Sequence, residues 1–85
     1  MPVESRRDPR VDPRAGDWLA GTGPSGKPQE LRVDDVRNGE VYMAHFYAGE
    51  EEARNMKRMP LDAFQKAAQA SATVVWRAEQ GKRFA

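Results

Sequence analysis

The clearest pattern along the chain is an alternation of apolar and polar residues over "ELRVDDVRNGEVYMAHFYA", interrupted once by Asn38-Gly39. A period of two places successive side chains on opposite faces of a strand, and Asn-Gly readily takes the positive backbone angles of a type I′ turn. The stretch therefore reads as a β-hairpin. With Asn38 and Gly39 as the turn residues, Arg37 faces Glu40, Val36 faces Val41, Val33 faces Ala44 and Leu31 faces Phe46. That register predicts a core face of Leu31, Val33, Tyr42, Ala44 and Phe46. The other face, with Arg32, Asp34, Val36, Val41, Met43 and His45, is mixed.

Shorter signals flank the hairpin. "GDWLAG" is an apolar patch bounded by glycines and reads as a first strand; "TGPSGKPQ" follows as a Gly- and Pro-rich loop. "AGEEEARN" is a charged turn, and "ARNMKRM" a further strand with Met56 and Met59 as its apolar residues. At "PLDAFQKAAQA" the period changes: Leu61, Phe64 and Ala68 fall at i, i+3 and i+7. Pro60 suits a first turn and Asp62 its positive end, so a helix of about three turns is expected. Thr73 to Trp76, "TVVW", reads as the closing strand, with Trp76 and Phe46 assigned to the core. The predicted fold is mainly β: a small SH3-like (Tudor-like) five-stranded barrel with one short helix before the last strand. An open sheet with the helix on its face is the alternative.

With 85 residues there is room for one domain, and a chain of this size hides only about 60% of its unfolded surface. Residues 1–15 hold three prolines, four Arg and three acids but few large apolar side chains. They are read as a disordered arm. Residues 16–77 are read as the barrel domain and 78–85 as a flexible basic tail. Charge divides accordingly: residues 1–15 carry +1, residues 77–85 carry +2 and residues 16–76 carry −2. A mildly acidic body counts against nucleic acid as the main partner.

There is no cysteine, which excludes thiol chemistry and cysteine zinc sites. No apolar run approaches the ~20 residues that a membrane helix needs. A cytoplasmic location, without membrane association, is expected.

Candidate chemistry narrows the reading further. "GTGPSGKP", from Gly21 to Pro28, follows the phosphate-loop pattern G-x-x-x-x-G-K-[ST] except at its last position. Pro28 has no hydroxyl for magnesium, and the residues after it alternate like a strand rather than opening a helix. Triphosphate hydrolysis is excluded. His45 is the only histidine and has no visible nucleophile beside it; it reads as a half-exposed strand residue. Asp34 and Asp35 point to opposite faces as strand neighbours. No catalytic residue, cofactor, metal or small-molecule substrate is assigned, and the chain is not read as an enzyme.

Two binding readings remain. Trp18, Tyr47, Glu50, Glu51 and Glu52 are the candidates for contact with a protein partner. Tyr47, Arg54, Lys57 and Arg58 are the alternative, a nucleic-acid face in which Arg54 and Arg58 share one side of a strand and a base stacks on the tyrosine. The same bases also suit an edge strand guarded by positive charge.

The stretches "DPRAGDWL", "LRVDDVRNGEVYMAHF" and "PLDAF...TVVW" resemble small single-barrel proteins encoded by bacteriophages and prophages of proteobacteria. Those often open with D-P-R-x-G-D, continue through an R-x-V-x-x-V-x-x-G-x-V hairpin and close with a short helix and a strand. The resemblance spans most of residues 12–76. It implies an SH3-like fold and a phage accessory role in a bacterial host cell, including binding and inhibition of a host factor such as a defence complex. It supplies no functional residue. The acidic turn Gly49-Glu50-Glu51-Glu52 departs from the short basic turn of those proteins.

Overall fold

Asn38 and Gly39 take φ of 52° and 73°, the left-handed angles that a two-residue hairpin turn requires. Around this turn the computed structural model describes residues 7–22 and 26–79. The elements are β1 (Trp18–Thr22), β2 (Pro28–Arg37), β3 (Glu40–Tyr47), β4 (Asn55–Pro60), α1 (Leu61–Ser71) and β5 (Ala72–Trp76). The five strands make one antiparallel sheet in the order β4-β3-β2-β1-β5. β4 and β5 are its edges, and among the described residues no pairing joins them. α1 leads from one edge to the other and covers one face.

The hairpin register departs from simple alternation at one residue. Arg37 pairs with Glu40, Val36 with Val41 and Asp35 with Tyr42 as expected, but Val33 then pairs with Met43 and Leu31 with His45. Asp34 is the extra residue of a β-bulge. Its carboxylate accepts from Arg32 Nε at 2.7 Å, while Asp35 Oδ1 accepts from the Val36 N–H at 2.9 Å. Asp35 thus braces the irregular backbone directly, while Asp34 bonds the Arg32 side chain.

The consequence is a correction to the predicted core face. One slipped residue moves Leu31 and Val33 to the side of Val41 and Met43, so the two apolar halves of the hairpin meet under α1. Leu19, Val33, Val41, Met43, Phe64, Ala68 and Ala72 form the buried cluster, with Leu31, Val36, Met59, Leu61 and Val75 against it. Phe64, at 1% exposure, contributes about 1.5–3 kcal/mol through burial. Phe46 is also buried, but with Tyr42 and Ala44 it lies on the opposite face. Trp76 is half-buried there too, not in the core.

The helix begins where its sequence indicates. Pro60 stands at the cap with φ −57°, needing no N–H, and Asp62 lies in the first turn, where the helix dipole favours an acid. At the other end the Ala72 N–H donates to the Ala68 carbonyl as the chain becomes extended. The close passage of this end over β1 requires Gly21, where a Cβ would lie 1.8 Å from the Ser71 oxygen.

Residues 7–15 fall within the span read as a disordered arm, yet they pack on the domain. Pro9 and Pro13 are buried, and so is Arg7. Its guanidinium grips Asp17 with both nitrogens: Nη2 donates to Asp17 Oδ1 at 2.6 Å and Nη1 to Oδ2. Nη2 also reaches Glu79 Oε1 at 2.7 Å, and Nη1 the Asp12 carbonyl at 2.7 Å. The Asp17 carboxylate accepts further bonds from the backbone N–H groups of Arg14 and Ala78. Composition missed this because ionic and backbone hydrogen bonds, rather than apolar side chains, hold the segment. Residues 1–6, 23–25 and 80–85, on which part of the expected arm, loop and tail falls, lie outside the described residues.

Candidate functional site

The face of the sheet away from α1 carries a continuous cross-strand row. Trp76 pairs with Trp18, Trp18 with Arg32, Arg32 with Ala44, and Ala44 with Met56. Directly paired residues project to one side of a sheet, so the row crosses all five strands, about 19 Å at the usual strand spacing. Its ends are large and apolar, and between them lie Arg32 and Ala44. Phe46 lies beside the row with its ring centroid 5.2 Å from that of Trp18. Arg32 lies over both rings, 5.9 Å from Trp18 and 5.5 Å from Phe46, in a cation–π arrangement held by its bond to Asp34. Arg37 stacks at 4.6 Å on Tyr42.

The charges on this face are matched. Arg32 pairs with Asp34, Arg37 with Asp35 at 3.5 Å and Arg58 with Glu40 at 4.0 Å. Arg37 and Glu40 remain partners in register, but each side chain forms its ion pair elsewhere. Every arginine that could approach a phosphate here already has a carboxylate beside it. Met56, by contrast, is 66% exposed at the β4 end of the row.

Most of the other sequence candidates meet at a different corner. Tyr47 ends β3, with the Arg54 guanidinium 4.2 Å and the Lys27 ammonium 5.6 Å from its ring centroid. Glu50 Oε1 accepts from the Tyr47 N–H and from Arg54 Nε, each at 2.9 Å. The Arg54 hydrogen bond, with that of the Tyr47 N–H, holds Glu50 below the usual carboxylate range. Glu50 is thus tied to Tyr47 and Arg54, although it is exposed like Glu51 and Glu52.

The expected basic stripe does not form. Arg58 pairs across from Tyr42 and beside Glu40, on the face with Trp18, while Lys57 pairs across from Met43 on the helix side. Arg54 precedes β4 and bends onto Tyr47. His45 is buried, not half-exposed: it is 7% accessible, and its Nε2 lies 2.9 Å from Gln29 Oε1. Burial first, then the positive charges of Lys57 and Arg54, push its pKa below the ordinary value.

Of the sequence candidates, then, Trp18 belongs to the aromatic row, and Tyr47, Glu50 and Arg54 form a corner of their own. Arg32, Ala44, Met56 and Trp76 were missed as members of the row. The facing of Arg32 against Ala44 depends on the bulge at Asp34, which simple alternation does not reveal. Among the described residues, no group of three His, Cys, Asp or Glu is placed to hold a metal ion. No described helix is long and apolar enough to cross a membrane. Compared with protein-family models, curated proteins and solved structures, the chain matches none.

Proposed function

We propose that this chain is a non-catalytic protein-binding module whose contact surface is the sheet face bearing Trp18, Trp76, Phe46, Tyr42 and Met56. The observation that carries the reading is the row from Trp76 to Met56, apolar at both ends and surrounded by arginines already paired to acids. Such a surface suits a partner segment that offers apolar side chains flanked by charges of both signs, since aromatic anchors supply contact area and matched rim charges supply register. A polyanion would have to displace the acids. The strand order, with a helix before the last strand, supports an SH3-like barrel, and the phage-type sequence pattern supports an accessory role inside a bacterial host.

The test is affinity capture from host lysate with the parent and with Met56→Asp, a change at an exposed position that leaves the core intact. A stoichiometric partner held by the parent and lost by the variant, with both melting alike, is the expected result. A partner retained equally by Met56→Asp and Trp18→Ala would move the contact elsewhere. Failure of a folded parent to hold any protein would sink the reading.

Nucleic-acid binding stands second, favoured by the guanidinium of Arg54 on the Tyr47 ring and the nearby Lys57. It predicts chemical-shift changes at Tyr47 and Arg54 on titration with a mixed short oligonucleotide, weakening steeply as salt rises.

A further inference from the structure

Under the C-terminal half of α1 lies an apolar cavity of about 70 Å³, lined by Leu19, Leu31 and Met43 on the sheet and by Phe64, Ala67 and Ala68 on the helix. Its origin is the helix sequence. Alanine favours helix but is too short to fill the space above Leu31 and Met43.

The sheet side of this cavity has a polar rim. Gln29 lines the cavity and is bonded through Oε1 to His45 Nε2. His45 pairs with Leu31, and Lys57 with Met43, so both stand on the cavity's face of the sheet next to lining residues. His45 Nδ1 is buried with no hydrogen-bond partner, a costly arrangement for a polar atom. The exposed Lys57 ammonium takes part in none of the ion pairs among the described residues.

We propose that this cavity and its rim bind a small aliphatic carboxylate, with the tail against Leu31, Met43 and Phe64 and the carboxylate at Lys57 and His45. The cavity is smaller than the ~150 Å³ that accepts benzene in a protein core but is open at its rim, so a thin chain enters end-on with its outer carbons at the mouth. Turning the Gln29 amide end for end gives His45 Nε2 a donor to accept from, moves the ring proton to Nδ1 and makes that orphan atom a donor to the ligand. An anion here also offsets the positive potential of Lys57 and Arg54 at His45. The site lies on the opposite side of the sheet from the aromatic row and is independent of the protein-binding reading.

The experiment is an amide NMR titration of the full labelled chain at neutral pH with sodium hexanoate, and in parallel with hexan-1-ol. Saturable shifts at Leu31, Met43 and Ala68 are expected, with the alcohol binding about tenfold or more weakly for want of a charged partner to Lys57. Lys57→Gln, at an exposed position, should weaken hexanoate by a similar factor, and Ala68→Leu should fill the cavity and remove binding. Shifts that never saturate would overturn the proposal. So would equal affinity for acid and alcohol, or a Lys57→Gln variant that binds hexanoate like the parent.

Discussion

Arg7 and Asp17 lie ten residues apart and form a two-pronged ion pair with both side chains almost wholly out of water. Neither belongs to the apolar core. Together they anchor the segment before β1 to the strand and to the backbone after β5.

Truncating one member of a buried pair leaves the other charge uncompensated, at a cost of about 3–5 kcal/mol. Arg7→Ala should therefore lower stability to denaturant by about 3 kcal/mol. Arg7→Lys should recover only part of this, because an ammonium cannot match the carboxylate with two parallel bonds. A truncation variant that unfolds at the parent's midpoint would show that the clasp contributes no stability.

Acid should release the same clasp. Burial alone would raise the Asp17 pKa, but the Arg7 bonds and the N–H groups of Arg14 and Ala78 outweigh it and hold the carboxyl below its ordinary value. A depressed folded pKa gives stability that is complete above the unfolded value of about 3.9 and is lost as pH falls through the folded one. Chemical denaturation between pH 5 and pH 2, to order of magnitude, should show this loss in the parent and a shallower one in Asp17→Asn.

His45 should produce a separate step at milder pH. Its pKa is lowered in the fold, chiefly by burial and then by Lys57 and Arg54, so the unfolded chain takes up a proton first. Stability is full above the unfolded value of about 6.5 and declines as pH falls below it. Because this is the only histidine, His45→Gln should flatten the slope between about pH 7 and pH 5. A slope unchanged by the substitution would mean that another group titrates there.

Gly21 tests a steric claim. Its backbone angles are not in the left-handed region, yet a Cβ would meet the Ser71 carbonyl at 1.8 Å, and that atom belongs to backbone that cannot swing aside. Gly21→Ala should cost about 1–3 kcal/mol or more by overpacking, measured as a lowered melting temperature. A variant as stable as the parent would mean that α1 does not pass so close to β1.

Much of this architecture is legible in the sequence. Asn38-Gly39 specifies a turn by backbone chemistry, and Leu61, Phe64 and Ala68 specify a helix face by spacing. What alternation could not register was the bulge at Asp34: one unpaired residue reverses the facing of everything before it in β2 while leaving the hydrophobic pattern unchanged. Alternation therefore groups Phe46 with Leu31 and Val33 in the core, and Trp76 reads as core because an aromatic strand residue looks the same whichever face it occupies. Arg7 escapes notice in the sequence because its carboxylate partners, Asp17 and Glu79, lie ten and seventy-two residues away, and such pairing leaves no periodic trace.

The reach of Arg7 to Glu79, across seventy-two residues and over 2.7 Å, has a topological consequence. The described chain is almost a closed ring whose two ends are fastened at one carboxylate, so a peptide linker joining them would follow a path that the fold already takes. A circular permutant reopened at the solvent-exposed Asn38-Gly39 turn would sever β2 from β3 in sequence yet leave them side by side, while the ends now separate would become a loop braced from within by Asp17.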